Sequence, residues 1–327
     1  MQKVNLLVSF KTDLNQKKLI NDGLMDLCDI AYLDEAFDRK RAIEYSDIIL
    51  AWNPLREFND EEYSLMKRIK FMQLLSAGGD HLPAELLNMD FDIAGNVGAY
   101  AVPMAEHVMA MVLALAKDLK DAHNKLKQGI FDQYKLNKSL RGSICAILGF
   151  GGIGKATANL MRAFGCKIFA VNTSGKTDED VDFIGTIKDL EYVLKNADVI
   201  VISLPLTKST KGLIGERELL WMKPDAILVN VARGEIIEER VFYEFLKTHP
   251  DFKAGIDAWW VEPFRHGKFE MHCPFLDLPN IIGSPHNSAM VPEAITIAIK
   301  HAIDNVKRYV SREKIKGIFR KEEYQKS

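Results

Sequence analysis

The sequence predicts an α/β protein with two doubly wound parallel-sheet domains. Short apolar runs of the buried-strand type alternate with segments of helical periodicity, first over residues 4–98 and again over residues 144–283. One apolar run of the second series ends in a glycine-rich turn that opens a helix. The chain has 327 residues, which is long enough to bury two separate cores.

The first series predicts the sheet of one domain. Its apolar runs predict strands at residues 4–8, 30–32, 47–52, 71–75 and 92–96. The helical spacing of apolar residues predicts helices at 17–27 and 60–69. Residues 103–119 then read as one long helix, dense in Ala, Met and Leu and apolar on almost every face. We expect this helix to be buried, either as a bridge between domains or at a subunit interface.

The second series predicts a complete doubly wound sheet of six strands with right-handed crossovers. These strands lie at residues 144–148, 167–171, 198–203, 226–230, 253–257 and 280–283. Helices are predicted at 155–164, 190–194, 216–221 and 238–246, and a further helix at 292–310 returns after the last strand. We therefore expect a discontinuous flavodoxin-like domain, residues 1–98 and 289–327, with the second domain, residues 99–288, inserted in it.

Composition and charge narrow the classes of function. The formal net charge is −2, so no overall field favours nucleic acid or an anionic membrane. Met1 leads straight into the first strand without a secretory signal, and we expect a cytoplasmic protein. The longest apolar stretch, residues 102–116, contains Glu106 and His107, and it is too short and too polar to span a bilayer.

The cysteines predict neither disulfides nor a metal site. Cys28, Cys145, Cys166 and Cys273 are far apart and form no Cys-x-x-Cys pair, so we expect reduced thiols. His272 precedes Cys273, but two adjacent side chains without further ligands at a suitable spacing do not predict a metal centre.

The turn after the strand at 144–148 is the strongest binding signal in the chain. Gly149 permits a sharp turn, Gly151 lets the backbone approach a phosphate, and Gly154 lets the helix pack close to the strand. The free N–H groups at the start of the helix, where Gly152 and Ile153 lie, would face a pyrophosphate at the positive end of the helix dipole. The second domain is therefore predicted to be a Rossmann domain that binds a dinucleotide.

The next strand end bears on which dinucleotide is bound. An acidic residue commonly receives the ribose hydroxyls of NAD at this point, but Asn172 stands here, and no carboxylate follows until Asp178. Thr173 and Ser174 follow Asn172, Ser174 can donate to a phosphate, and Lys176 supplies positive charge. The predicted cofactor is NADP(H) or NAD(H), with NADP(H) slightly favoured; the alternative is a surface loop without selectivity.

Three further segments follow predicted strands of the second domain, at the edge where ligands bind in open α/β sheets. They carry Arg233, Glu262 and His286. Hydride transfer between a nicotinamide and a 2-keto or 2-hydroxy acid uses these groups. Arg233 can bind the substrate carboxylate with its bidentate fork, and His286 can exchange a proton with the substrate oxygen. Glu262 can orient the imidazole and stabilise its protonated form.

The chain resembles the D-isomer-specific 2-hydroxyacid dehydrogenase family over nearly its whole length. The motifs that carry the resemblance are Gly149 to Gly154, Leu204-Pro205-Leu206-Thr207, Asn230 to Gly234, Asp257 to Pro263 and Ser284-Pro285-His286. The resemblance implies a reductase of a small 2-keto acid of the glyoxylate or hydroxypyruvate type, and a homodimer.

The resemblance also implies roles for individual residues. Arg233, Glu262 and His286 correspond to the catalytic residues of the family. Asp257 corresponds to the residue that holds the nicotinamide carboxamide, with help from the Val231 carbonyl. Formate dehydrogenases of the family have Gln at the position of Glu262, which disfavours that activity.

Two loops complete the implied site. Pro205 and Thr210 are expected along the adenosine side of the cofactor. The loop at Ala77, Gly78 and Gly79 is expected to offer backbone N–H groups to the substrate carboxylate.

Two other functions stay open at this point. A dehydrogenase of the D-3-phosphoglycerate type would need a cationic phosphate site, for which Arg56 is a candidate. A nucleotide-sensing protein like the family's corepressors would have no use for His286. The adjacent Trp259 and Trp260 are bulkier than the usual residues of the family, and we expect them in a core or an interface.

Overall fold

The computed structural model describes residues 3–324, which form two compact units. The first unit contains the described residues up to Tyr100 and those from Val291 onward, and the second unit is Ala101–Met290. Both units contain a parallel sheet with helices, which confirms the predicted fold class. The expected boundaries, at 98 and 289, lie two residues before the observed ones.

The first unit is built on a five-stranded sheet. Its strands are β1 (Val4–Val8), β2 (Cys28–Tyr32), β3 (Ile48–Ala51), β4 (Phe71–Leu74) and β5 (Asp92–Ala94). They pair in parallel in the order β2-β1-β3-β4-β5. Both faces of the central strands are buried, because apolar clusters cover them on either side. This explains why β3 is a continuous run of apolar residues.

The described residues before β5 contain five helices: α1 (Leu14–Leu24), α2 (Arg39–Glu44), α3 (Pro54–Glu57), α4 (Asp60–Tyr63) and α5 (Ala84–Leu87). The helix predicted at 17–27 begins earlier, because Asp13 caps it in a reciprocal box with Gln16. The helix predicted at 60–69 is wrong beyond Tyr63. There the hydroxyl of Ser64 donates to the Glu61 carbonyl at 2.7 Å, and turns lead on to β4.

The second unit is built on a seven-stranded sheet. Its strands are β6 (Ile144–Leu148), β7 (Lys167–Val171), β8 (Phe183–Gly185), β9 (Val199–Ile202), β10 (Ile227–Asn230), β11 (Lys253–Ile256) and β12 (Ile281–Gly283). They pair in parallel in the order β12-β11-β10-β9-β6-β7-β8, so the chain order reverses between β6 and β9. The edge strand β8 was not predicted from the sequence.

The remaining helices are α6 (Ala101–Ala116), α7 (Leu119–Lys127), α8 (Gly152–Ala163), α9 (Leu190–Asn196), α10 (Glu216–Trp221), α11 (Glu239–Thr248), α12 (Pro263–His266) and α13 (Ala294–Val310). The last of these belongs to the first unit and packs against α1 and β4. Within residues 3–324, short 3-10 helices lie at Ile187–Asp189, Gly234–Ile236, Phe275–Asp277 and Lys321–Glu323.

The long apolar helix predicted at 103–119 is shorter than expected. It ends at Ala116, and Asp118 adopts a left-handed conformation with φ of 47° before α7 begins. The ammonium of Lys253 explains the break, because it donates to the Leu115 carbonyl at 3.0 Å and pairs with Asp118 at 2.5 Å. The buried face of α6 packs on α8 and on strands β10 to β12 of its own unit.

The described cysteines are free thiols, and Cys28, Cys145 and Cys166 are buried. Burial raises the pKa of Cys28 to about 11 and raises that of Cys145 well above its usual value. Among residues 3–324, no group of three His, Cys, Asp or Glu side chains is placed to hold a metal ion. None of the helices in this range is long and apolar enough to cross a membrane.

Candidate active site

The glycine turn after β6 has the backbone that its sequence predicts. Gly149 has φ of 101°, and a Cβ there would lie 2.7 Å from the Leu204 nitrogen. A Cβ at Gly154 would lie 2.2 Å from the Gly149 carbonyl oxygen. Both positions therefore require glycine, since the backbone following β9 and the first turn of α8 approach the turn closely.

Gly151 differs from the other two glycines, because it faces open space. An added Cβ would meet no described atom within 4 Å, and Gly151 is exposed at the N-cap of α8. The first turn of α8 begins Gly152-Ile153-Gly154 and contains no acidic residue. The space and the N–H groups fit a dinucleotide pyrophosphate.

The loop after β7 is organised by Asn172. Its side-chain oxygen accepts the backbone N–H groups of Ser174 at 3.0 Å and Gly175 at 2.7 Å, and its amide donates to the Lys176 carbonyl at 2.8 Å. Thr173, Ser174 and Lys176 are exposed. The strand end thus presents hydroxyls and an ammonium where NAD-binding units commonly have a carboxylate.

The loop after β9 contains the two residues predicted beside adenosine. The Thr210 hydroxyl donates to the Pro205 carbonyl at 2.6 Å and accepts the Thr207 N–H at 2.8 Å. Thr210 is buried and Pro205 is exposed. Thr210 therefore holds the loop in shape, and the contact of either residue with a cofactor stays a prediction.

Arg233 lies in a turn after β10 that Asn230 builds. The Asn230 oxygen accepts the Ala232 N–H at 3.0 Å, and its amide donates to the Arg233 carbonyl at 2.9 Å. The Arg233 guanidinium donates to the Ala232 carbonyl at 2.7 Å and is half-buried. Val231 is buried within the same turn. A Cβ at Gly234 would lie 2.5 Å from the Trp260 nitrogen, so glycine lets this turn pack on the segment after β11.

Glu262 and His286 form a hydrogen-bonded pair. The Nδ1 atom of His286 lies 2.8 Å and 2.7 Å from the two carboxylate oxygens of Glu262. Glu262 is 5% exposed, whereas the side chain of His286 is 31% exposed. A carboxylate accepts only, so Nδ1 carries the proton of this bond, and Nε2 is left to exchange a proton with a ligand.

Hydrogen bonds hold both the carboxylate and the backbone of Glu262 in place. The Trp259 N–H donates to it at 2.6 Å, and the Glu262 N–H donates to Nδ1 of His266 at 3.0 Å. The indole of Trp259 donates to the Ser284 carbonyl at 2.8 Å, shortly before His286 in the chain. Trp259 thus connects the segment that carries Glu262 with the segment that carries His286.

His286 itself adopts a left-handed conformation with φ of 51°. A side chain with a Cβ pays about 1–2 kcal/mol for this conformation, so neighbouring contacts must fix the loop. Asp257 provides them, because its carboxylate accepts the N–H groups of Asn287 at 3.2 Å and Ser288 at 3.3 Å. Asp257 is fully buried, and its predicted contact with a nicotinamide stays a prediction.

Two polar residues of this unit escaped the sequence prediction. The Ser284 hydroxyl donates to Asp257 at 2.5 Å, and the His107 ring lies 2.9 Å from the same hydroxyl. His107 and Ser284 are 177 residues apart, so no local spacing connects them. The sequence shows a histidine beside Glu106 in a largely apolar segment and a serine in the motif Ser284-Pro285-His286, and neither signal predicts their contact.

The loop predicted to bind the substrate carboxylate lies in the first unit, after β4. The carbonyl of Leu75, at the start of this loop, accepts the Tyr100 hydroxyl at 2.9 Å. Burial raises the pKa of Tyr100 to about 12, so the phenol stays protonated as a donor. A Cβ at Gly79 would lie 2.9 Å from the Phe319 ring, which restricts this position to glycine unless the ring moves. Ala77 and Gly78 are partly exposed.

Gly151→Ala and Gly154→Ala are a matched pair of variants that tests whether the glycine turn binds the phosphates of a dinucleotide. We expect Gly154→Ala to lower the free energy of unfolding by about 1–3 kcal/mol, because its methyl group meets backbone. Gly151→Ala should keep the thermal stability and weaken dinucleotide binding about tenfold or more, since the methyl group occupies the space for phosphate. Thermal unfolding and fluorescence titration with NADPH measure both effects. An unchanged affinity of Gly151→Ala for NADPH would contradict phosphate binding at this turn.

Comparisons with known proteins identify the family of this chain. Residues 109–288 match the family model of the NAD binding domain of D-isomer specific 2-hydroxyacid dehydrogenases. The chain is 32% identical over 231 residues to a hydroxypyruvate reductase of Thermotoga maritima, covering 70% of this chain and 73% of that protein. It is 33% identical over 225 residues to a glycerate dehydrogenase of Methylorubrum extorquens, covering 66% and 68%.

A solved structure extends the likeness to both units. A D-isomer specific 2-hydroxyacid dehydrogenase family protein of Aeromonas salmonicida matches with a TM-score of 0.79 at 27% identity, covering 98% of this chain and all of that chain. The chain therefore belongs to the D-isomer specific 2-hydroxyacid dehydrogenase family, and it is an NAD(P)-dependent oxidoreductase that acts on CH–OH groups.

Proposed function

We propose that this protein reduces a small 2-keto acid of the glyoxylate or hydroxypyruvate type, with His286 as the proton donor. The observation that carries the proposal is the bond between Glu262 and Nδ1 of His286, which leaves Nε2 directed to other partners. A nicotinamide supplies the hydride when it is bound. The names of the similar hydroxypyruvate reductase and glycerate dehydrogenase support this substrate class.

His286 and Glu262 handle the proton in this proposal. As C2 of the keto acid becomes tetrahedral, its oxygen takes a proton from Nε2 of His286. The positive charge on the ring is stabilised by Glu262 at 2.7 Å, in a position that is almost fully buried. In the oxidative direction the same nitrogen removes the hydroxyl proton.

Arg233 binds the substrate carboxylate in this proposal, because a guanidinium matches that group with two parallel hydrogen bonds. Ala77, Gly78 and Gly79 lie in the other unit, and their contact with the same carboxylate stays a prediction from the family resemblance. The role of Asp257 and the Val231 carbonyl toward the nicotinamide carboxamide likewise stays a prediction.

The reductase is proposed to accept NADP(H) and to favour it slightly. Support comes from the loop after β7, where Asn172 replaces a carboxylate and the exposed Lys176 can offset a 2′-phosphate.

We also propose a homodimer. Large apolar side chains are exposed after α7, with Phe131 76%, Tyr134 84% and Leu136 93% exposed. Side chains of this size in one short segment indicate a surface that another protein covers. A second copy of this chain is the partner that the family resemblance implies.

The proton-donor role predicts the outcome of a substitution at His286. His286→Ala should lower kcat by about 10²–10⁴-fold. The measurement is NAD(P)H oxidation with glyoxylate, hydroxypyruvate, pyruvate, phosphohydroxypyruvate and bulkier keto acids. His272→Ala is the matched control. His272 also pairs with a carboxylate, that of Glu239 at 2.8 Å, but its side chain is exposed and is not assigned to the site.

The same panel separates the other functions. Preference for phosphohydroxypyruvate would favour a phosphorylated substrate held near the exposed Arg56. Tight nucleotide binding without turnover of any keto acid would favour a nucleotide sensor. Near-normal turnover by His286→Ala would remove this residue from proton transfer.

The cofactor preference predicts the effect of a carboxylate in the loop after β7. Asn172→Asp should raise the KM for NADPH and shift the ratio of kcat/KM toward NADH by about tenfold, because the carboxylate repels a 2′-phosphate. Steady-state kinetics with both nucleotides measure the shift. Asn196→Asp is the control. Like Asn172→Asp, it removes a hydrogen bond from a side-chain amide to a backbone carbonyl, in this case that of Tyr192. A strong preference of the natural protein for NADH would contradict the proposal.

A further inference from the structure

A chain of hydrogen bonds starts at α6 and ends beside His286. The Nε2 atom of His107 lies 2.9 Å from the Ser284 hydroxyl, which lies 2.5 Å from the carboxylate of Asp257. The same carboxylate accepts the N–H groups of Asn287 and Ser288. All of these residues belong to the second unit.

The chemistry of the groups fixes the direction of these bonds. An ionised carboxylate only accepts, so the single proton of the Ser284 hydroxyl goes to Asp257. The hydroxyl oxygen then accepts from His107, whose Nε2 must carry a proton. A cationic or neutral His107 satisfies this requirement, and in both forms the ring polarises the Ser284 hydroxyl toward Asp257.

We propose that His107 is a positioning residue for His286, acting through Ser284 and Asp257. This inference rests on the proposed role of His286. It assigns to His107 no contact with substrate. His107 fixes the Ser284 hydroxyl, Ser284 fixes the Asp257 carboxylate, and Asp257 fixes the backbone on the C-terminal side of His286.

The conformation of His286 explains why such support is needed. Its backbone is left-handed, with φ of 51°, and its ring must stay on Glu262 for Nε2 to face a substrate. The Asp257 bonds to Asn287 and Ser288 hold the backbone on one side. On the other side, the Trp259 indole holds the Ser284 carbonyl at 2.8 Å. Ser284 therefore lies at the point where both restraints meet.

The burial of Asp257 strengthens the coupling of the three linked side chains. Asp257 is fully buried, and the His107 side chain is 25% exposed. The His107 ring also lies 3.7 Å from the Asp257 carboxylate itself. In a low-dielectric interior, loss of the His107 donor leaves Ser284 free to turn away from Asp257.

The test compares two variants of His107. His107→Phe keeps a planar ring but removes the donor, and His107→Gln restores a side-chain N–H donor. We expect His107→Phe to lower kcat about tenfold to a hundredfold while the KM for the keto acid, whose carboxylate Arg233 is proposed to bind, stays within about twofold, because a small displacement of His286 impairs the reaction. His107→Gln should recover kcat to within about threefold of the natural enzyme.

Coupling with Ser284 distinguishes positioning from a general loss of stability. Ser284→Ala should lower kcat to a similar extent, and the double variant with His107→Phe should be no slower than Ser284→Ala alone. A double variant whose losses multiply would overturn the proposal, as would a His107→Phe enzyme with natural kcat. If His107→Phe does not fold, the comparison of Ser284→Ala with Ser284→Thr tests the proposal, because Thr keeps the hydroxyl. An equal kcat of these two variants would also overturn the proposal.

Nitrogen NMR of histidine-labelled protein gives a readout that does not need turnover. The Nδ1–H signal of His286, identified by its loss in His286→Ala, reports the bond to Glu262. It should shift or broaden in His107→Phe and return in His107→Gln. An unchanged signal in His107→Phe would refute the positioning role. Absence of keto-acid reduction by the natural protein would instead refute the proposed function, so the two failures are distinguishable.

Discussion

The site depends on one buried carboxylate, that of Asp257. This group is fully buried and takes hydrogen bonds from the Ser284 hydroxyl and from the N–H groups of Asn287 and Ser288. A buried carboxylate needs such donors, and the backbone after β12 supplies two of them while it passes through the left-handed conformation of His286. The need to satisfy the charge therefore holds His286 in a backbone conformation that residues with a Cβ rarely adopt.

Parallel pairing brings the other functional groups to the same edge. Asn230 at the end of β10 pairs in register with Ile256 of β11, which pairs with Gly283 of β12. The turns that follow these three strands carry Arg233, Glu262 and His286, so the three groups follow adjacent strand ends although they are distant in sequence. The glycine turn follows β6, at the reversal of strand order where open α/β sheets bind ligands.

The sequence predicted the fold class and most strands, because buried parallel strands are continuous apolar runs. It missed the edge strand β8, and it extended α6 past Ala116, since nothing local shows that Lys253 reaches the Leu115 carbonyl. The glycine turn was readable because its chemistry is local. The contact of His107 with Ser284 was not, because it joins residues 177 positions apart and only the folded chain creates it.

The most direct test of the central claim is a crystal structure of the protein with NADP and oxamate, a stable analogue of a 2-keto acid. The account predicts that Nε2 of His286 lies within about 3 Å of the oxamate amide oxygen, which takes the place of the keto oxygen. It also predicts that Arg233 binds the oxamate carboxylate while Nδ1 of His286 stays on Glu262. An oxamate bound with its carboxylate on His286, or away from both side chains, would contradict the account.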